Sequence, residues 1–264
     1  MRKKILLFAG LLFLSAACSS DDDAPGVEAP TLVKVVDQTV TRTGPNYENA
    51  VTTYWNYFGN RLESQSDSNG NQRIYTYDNI DIANIKTYLA NGNLLRTEFF
   101  VYNPDGKLAS NRIVSGSTEE RHVYTHNTDN TITAQTFQST TFGQNVLQSN
   151  TVIFLEDGEV VRTERTFVDG GLQINEFTYD GMKKPTANIA GFDKISFAFA
   201  NTRERKGNLH NMTSDTETYM APEPVVVPRT LTYDSEDYPL TIFNNSPFSS
   251  DRYKMEFTYM NIEL

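Results

Sequence analysis

One repeated unit leaves this chain few folds to choose from. The segments "FFVYNPDGKL", "VYTHNTDNTI", "VIFLEDGEV", "EFTYDGMKKP" and "LTYDSEDYPL" each carry an alternating run into a ring-bearing residue, then a polar turn, then the next run. Anchors at Tyr77, Tyr102, His126, Phe154, Tyr179, Tyr233 and Tyr259 are spaced by 25, 24, 28, 25, 54 and 26 residues. Gly106 and Leu108 follow Tyr102 by four and six places, and Gly158 and Val160 follow Phe154 at the same offsets. The interval of 54 is two periods, with "KISFAF" ending at Phe199 as a degenerate strand unit; "TYWNYFGNRL" is a further unit with a shorter turn. One turn in each period of about 25 residues means one β-hairpin per unit.

The unit is readable in physical terms. In "KMEFTY", Met255, Phe257 and Tyr259 share one face while Lys254, Glu256 and Thr258 share the other. A period of two built from aromatic and β-branched residues marks a strand buried on one side. Asn-Pro-Asp-Gly supplies a preset φ at proline and a tolerated positive φ at glycine, as a turn needs. Outside the first residues no run of ten or more has a helical period. The chain is therefore all-β: an antiparallel meander of repeated hairpins, some sixteen short strands. Twist and open edges prevent a sheet of that size from lying flat, so it should curl into a rolled sheet or open barrel around its apolar face. Pro222, Pro224 and Pro228 in "APEPVVVP" place that stretch in a loop or at an edge. "NTRERKGNLHN" reads as an excursion.

The N-terminus carries an address. Arg2, Lys3 and Lys4, an apolar run from Ile5 to Leu14, and small residues up to Ala17 form a tripartite export signal, too short to span a bilayer. The ending "SAAC" resembles a bacterial lipobox, with Ser15 where an aliphatic residue is usual. On that reading residues 1–17 are a lipoprotein signal peptide and Cys18, the only cysteine, is lipidated. Residues 18–30, acidic and rich in small residues and proline, form a flexible tether, and residues 31–264 a single repeat-built β domain. The position of Asp21, Asp22 and Asp23 resembles the export signal that sends Bacteroidetes lipoproteins to the cell surface. The expected location is the outer membrane, displayed at the surface, with the periplasmic face as the alternative.

Processing at Cys18 removes 17 of 264 residues and three of 23 basic ones, leaving 20 against 33 acidic residues. That balance excludes a phosphate-binding surface, hence nucleic acid, and docking on anionic lipid through a basic patch. Alternation alone does not say which face is wet, because a transmembrane barrel alternates too. The anchor, the uniformly short turns and the short strands favour an apolar face turned inward.

The units "YNPDGKL" and "YDSEDYPL" resemble YD-type repeats of the RHS kind. Together with "CSSDDD" and "YDGMKKPTANIAGFDK" they resemble a family of Bacteroidetes outer-membrane lipoproteins of unknown function with a porin-like, rolled antiparallel β-fold. His126 replaces the aromatic, and the period is lost across residues 200–228. The resemblance implies a fold and a location, and carries over no activity and no site residues.

Chemical motifs are sparse. There is no nucleophile elbow, HExxH or phosphate loop, so no catalytic residue, metal ligand or cofactor is assigned. His122 and His126 share a strand face about 13 Å apart, too far for one metal, and His126 holds an anchor position. Glu119, Glu120, Glu236 and Asp237 read as solvated turn carboxylates. "DSNGN", from Asp67 to Asn71, starts like a calcium loop but lacks the distal acid, and a hairpin turn accounts for it. "YWNYF" holds the only tryptophan, and its aromatics cannot all face one core. Tyr54, Trp55 and Tyr57 are the candidate ligand-binding residues. The leading expectation is a non-enzymatic, lipid-anchored surface protein that meets the membrane only through its anchor and binds a glycan or a protein. A surface hydrolase with carboxylates from separate strands, or a structural accessory of an outer-membrane complex, is the alternative.

Overall fold

Sixteen antiparallel strands follow one another around a closed barrel in the computed structural model, which describes residues 31–139, 145–198, 209–219 and 223–264. The signal, Cys18 and the acidic tether lie outside the described residues. The strands are β1 (Leu32–Thr43), β2 (Asn49–Phe58), β3 (Arg61–Asp67), β4 (Gln72–Asp78), β5 (Asp81–Tyr88), β6 (Leu94–Tyr102), β7 (Leu108–Ser115), β8 (Thr118–His126), β9 (Thr131–Ser139), β10 (Asn145–Glu156), β11 (Glu159–Phe167), β12 (Leu172–Lys183), β13 (His210–Tyr219), β14 (Val225–Tyr233), β15 (Pro239–Asn244) and β16 (Tyr253–Glu263). Each pairs with its neighbours in sequence, and β1 closes on β16 from Leu32 opposite Glu263 to Thr43 opposite Tyr253. The hairpin meander is thus the fold, and its roll is complete. Closure removes both sheet edges.

The anchors stack at one end of this barrel. Register shifts stand immediately before Tyr57, Tyr77, Tyr102, Tyr179 and Tyr233. Most anchors reach the start of the preceding hairpin's return strand. Tyr102 donates its hydroxyl to the Ile82 carbonyl at 2.9 Å, Tyr179 to Val160 at 2.6 Å and Tyr259 to Pro239 at 2.7 Å. His126 does the same through Nε2 to the Leu108 carbonyl at 2.9 Å, and Tyr77 accepts from the Leu62 N–H at 3.0 Å. Tyr233 turns instead to the Asp180 carboxylate. Burial holds the hydroxyls of Tyr77, Tyr102, Tyr179 and Tyr259 protonated well above the usual range.

Phe154 is not one of these anchors. The shift between Phe154 and Leu155 sets Leu155 opposite Val160 on the inner face, so the turn there is one residue shorter than the offsets from Phe154 imply. Leu155 packs against the core.

A segment between β12 and β13 stoppers the same end. Of "KISFAF", Lys194 to Ala198 is helical rather than a strand, within α1 (Phe192–Ile195) and a 3₁₀ turn (Ser196–Ala198), while Phe199 lies outside the described residues. Ile195, Ser196, Phe197 and Ala198 are all buried, so their alternation marks no face; the segment has protein on every side. Gly191 starts it at φ +75°, where an added Cβ would lie 2.9 Å from the Ile80 carbonyl oxygen, a position open only to glycine. Phe197 meets Tyr124 edge-on at 5.2 Å and Phe192 lies 5.9 Å from Tyr75. Around this plug Leu62, Ile82, Ile85, Leu108, Ile132 and Phe177 form the inner core.

Two other expectations shift. Pro228 sits inside β14, where a closed barrel offers no edge. It is the last β14 residue paired with β13, through Ser214, and Arg229 is the first paired with β15, through Asn244. The missing N–H therefore falls where the ladder changes partner, and the Pro228 carbonyl still accepts from Asn245 at 2.9 Å. Of "NTRERKGNLHN", the described end is ordered structure, with His210 and Asn211 opening β13.

The outer face is polar. Register places Lys86, Arg112, Arg121 and Arg162 outward in mid-barrel. Arg112 pairs with Glu119 at 3.1 Å, and Arg162 with Glu164 at 2.7 Å and Glu176 at 2.8 Å. Outward Tyr54, Ile74, Val101 and Val226 are interspersed among such residues.

Candidate functional site

Above the plug the barrel interior is not filled. A cavity of about 450 Å³ lies over Phe192 and Ser196 and reaches the turns at the far end, where Asp67, Asn71 and Leu89 line it. β1 to β5 and β16 supply one wall, and β13, β14 and the stretch Lys184–Thr186 the other. Trp55, Tyr75, Phe257, Met255 and Met212 give it an aromatic and thioether surface.

Of the three aromatics read from the sequence, the barrel brings one to this cavity. Alternation along β2 sends Trp55 and Tyr57 inward and Tyr54 outward, 49% exposed, with Phe58 outward at 73%. Trp55 lines the cavity, whereas Tyr57 packs lower, at the plugged end, where burial pushes its hydroxyl's pKa up. Cys18, Asp21, Asp22 and Asp23 lie outside the described residues.

Basic side chains join Trp55. Arg73, Lys184 and Arg229 line the cavity, and Asp67 is the carboxylate facing them there. Asp67 is committed to its own turn, accepting from the N–H groups of Asn69 at 2.9 Å and Asn71 at 3.0 Å and from Asn71 Nδ2 at 2.9 Å. Burial lowers Lys184 to about 8, against the opposing pull of Glu159 and Asp193. Arg229 is buried on β14 with its Nη2 3.7 Å from Asp215, and its Nη1 donates to the Met212 sulfur at 2.7 Å. Buried polar atoms on the lining that have no hydrogen-bond partner among the described residues include Trp55 Nε1, Thr39 Oγ1, Thr87 Oγ1 and Arg229 Nη2.

Sequence reasoning alone misses Arg229, although a signal is present. In "VVVPRTLTY" it stands in phase with Val225, Val227, Leu231 and Tyr233, a charge on an apolar face. Lys184 lies in an irregular stretch, where no period can mark it.

The histidines fall elsewhere. His122 faces inward between Glu120, 2.7 Å from Nε2, and Thr136, 3.0 Å from Nδ1. The order of acid, imidazole and hydroxyl looks like a proton relay, but His122 and Thr136 are simply opposed across β8 and β9, and Thr136 is buried. The imidazole hydrogen bond holds Glu120 below the usual carboxylate range. His126 donates from Nε2 to Leu108, since a carbonyl only accepts, and stands edge-on to Phe197 at 5.9 Å.

Solved structures share this architecture. A porin-like protein from Bacteroides vulgatus ATCC 8482 is similar at TM-score 0.58 and 13% identity, over 86% of this chain and 99% of that one. A porin-like protein from Bacteroides uniformis ATCC 8492 is similar at TM-score 0.50 and 11% identity, over 85% of this chain and 98% of that one. Identities this low carry the fold alone. No protein-family model matches the chain, and no curated protein sequence does.

Proposed function

We propose that this chain is a non-enzymatic binding protein, tethered to the outer membrane through Cys18, that holds a small ligand inside a water-facing barrel. The observation that carries this reading is the polarity of the wall. Bilayer-spanning barrels turn an apolar band some 25 Å tall outward, and a basic residue at mid-depth costs about 2–4 kcal/mol. Here Lys86, Arg112, Arg121 and Arg162 are outward among scattered apolar side chains, the core cluster around Leu62, Ile82 and Ile132 is inward, and α1 with its 3₁₀ turn stoppers one end. Such a barrel needs another means of staying at a membrane, and a lipidated Cys18 followed by an acidic tether supplies it.

The interior, rather than the outward Tyr54, is then the place for a ligand. A closed-bottomed cavity with aromatic walls and a few convergent polar groups is the usual form of a small-molecule site. This narrows the ligand from a glycan or protein, as the sequence alone suggests, to something small enough to enter the barrel. Surface display follows from the likeness of Asp21, Asp22 and Asp23 to a surface-export signal.

Two measurements test the proposal together. Labelled palmitate should enter the wild-type protein and not Cys18→Ser. Native mass spectrometry of the protein purified from its own cells should show a bound small molecule that Trp55→Ala loses while keeping its β-sheet spectrum. Unlabelled wild-type protein would sink the tether, and an adduct that survives Trp55→Ala would sink the cavity as its site.

A further inference from the structure

We propose that the cavity takes an amphipathic organic acid, a carboxylate carried on an aromatic or otherwise apolar body. The inference rests on the interior-binding reading above and adds the chemistry of the ligand. Three basic side chains, Arg73, Lys184 and Arg229, line a cavity whose acidic lining residue, Asp67, is spent on its own turn. In a protein of net charge −10 three basic residues on one cavity lining run against the overall balance, although Arg229 already stands 3.7 Å from the buried Asp215 carboxylate.

The buried polar atoms point the same way. Trp55 Nε1 and Arg229 Nη2 can only donate, and each is buried without a hydrogen-bond partner among the described residues. What complements them must accept. An anion does so best, because hydrogen bonds between charged partners are shorter and about twice as strong as neutral ones. Arg229 also directs Nη1 at a thioether, a weak acceptor that a carboxylate oxygen would readily displace. Thr39 and Thr87 add hydroxyls that can donate to the second carboxylate oxygen.

The remaining walls define the other half of the ligand. Tyr75, Phe192, Phe257 and Met255 offer rings and a thioether, which a bare phosphate would leave uncovered and a sugar's hydroxyls would meet without partners. A volume of about 450 Å³ suits a drug-sized molecule.

The test uses the chain from residue 18 onward carrying Cys18→Ser, so that no acyl chain competes for the cavity. Calorimetry compares 1-naphthaleneacetate with its neutral isostere 1-naphthaleneacetamide, and emission from Trp55, the only tryptophan, reports where each binds. The acid should bind with a change in Trp55 emission and the amide about 10- to 100-fold more weakly, as loss of a charged hydrogen bond predicts. Arg229→Gln should close most of that gap. Because Arg229 is buried beside Asp215 and the variant can fail to fold, the acid–amide comparison in the unaltered barrel decides by itself. Equal affinity for the two, or preference for the amide, overturns the organic-acid assignment and leaves interior binding standing. Binding of neither probe overturns both.

Discussion

Tyr102→Phe and Tyr57→Phe make the same chemical change at equivalent positions and should have different effects. Both side chains are inward anchors that follow a register shift, and both pack on the core. Tyr102 donates to the carbonyl of Ile82, a residue with no exposed surface. Phenylalanine there leaves a buried acceptor unpaired, which costs about 1–2 kcal/mol. In a domain of this size each kcal/mol lowers Tm by roughly 2–4 °C, so the expected fall is about 2–8 °C. Tyr57 belongs to the first hairpin and has no earlier hairpin to reach. Its hydroxyl is buried without a partner among the described residues, so Tyr57→Phe should leave Tm unchanged or raise it. Scanning calorimetry on the two variants, with guanidinium titration to check for unchanged m-values, makes the comparison. Equal losses at both positions would refute the idea that the anchors are linked hairpin to hairpin through their polar tips.

Three further outcomes are expected. Stability should rise between about pH 8 and 10, because folded Lys184 releases its proton near 8 while the unfolded chain holds it to 10.5. Above pH 10 stability should fall, because burial keeps Tyr102, Tyr124 and Tyr179 protonated in the fold while the unfolded chain ionises them. Denaturant midpoints across this range check the maximum, and Lys184→Met should remove the rise. Ile85→Ala, in the inner core, should cost about 2–5 kcal/mol, against less than about 1 kcal/mol for Glu119→Gln on the outer face; urea unfolding compares them. Protease shaving of intact cells should cut the wild-type domain and spare a variant with Asp21, Asp22 and Asp23 changed to alanine; equal protection of both would show the charge block to be linker alone.

The hairpin unit makes most of this fold legible. Period two, turn chemistry and the interval near 25 residues account for the strand count, the meander and the inward ring of anchors. Local patterns mislead where the surroundings change their meaning. "KISFAF" alternates, but from Ile195 to Ala198 the side chains have protein on all sides, and alternation there no longer distinguishes strand from helix. Phe154 has the ring and the offsets of an anchor, whereas the bulge selects Leu155 and leaves Phe154 facing outward. Pro228 argues for an edge on a rule that holds for mid-ladder positions, and β14 changes partner at that residue. Of the candidate site, "YWNYF" points to Trp55, but alternation separates it from Tyr54. Arg229 and Lys184 share a cavity with Trp55 only because closure of the barrel sets β14 and the stretch after β12 across from β2, a long-range juxtaposition that no local window contains.

Everything proposed for this barrel depends on its wall facing water, and flotation with lipid vesicles puts that to the test. The Cys18→Ser chain from residue 18 is prepared without detergent, so that neither an acyl chain nor a micelle decides the outcome. The protein should stay monodisperse in buffer and remain at the bottom of the density gradient, its outward Lys86, Arg112, Arg121 and Arg162 hydrated. A protein that aggregates without detergent and floats with the vesicles would instead have a wall that faces lipid.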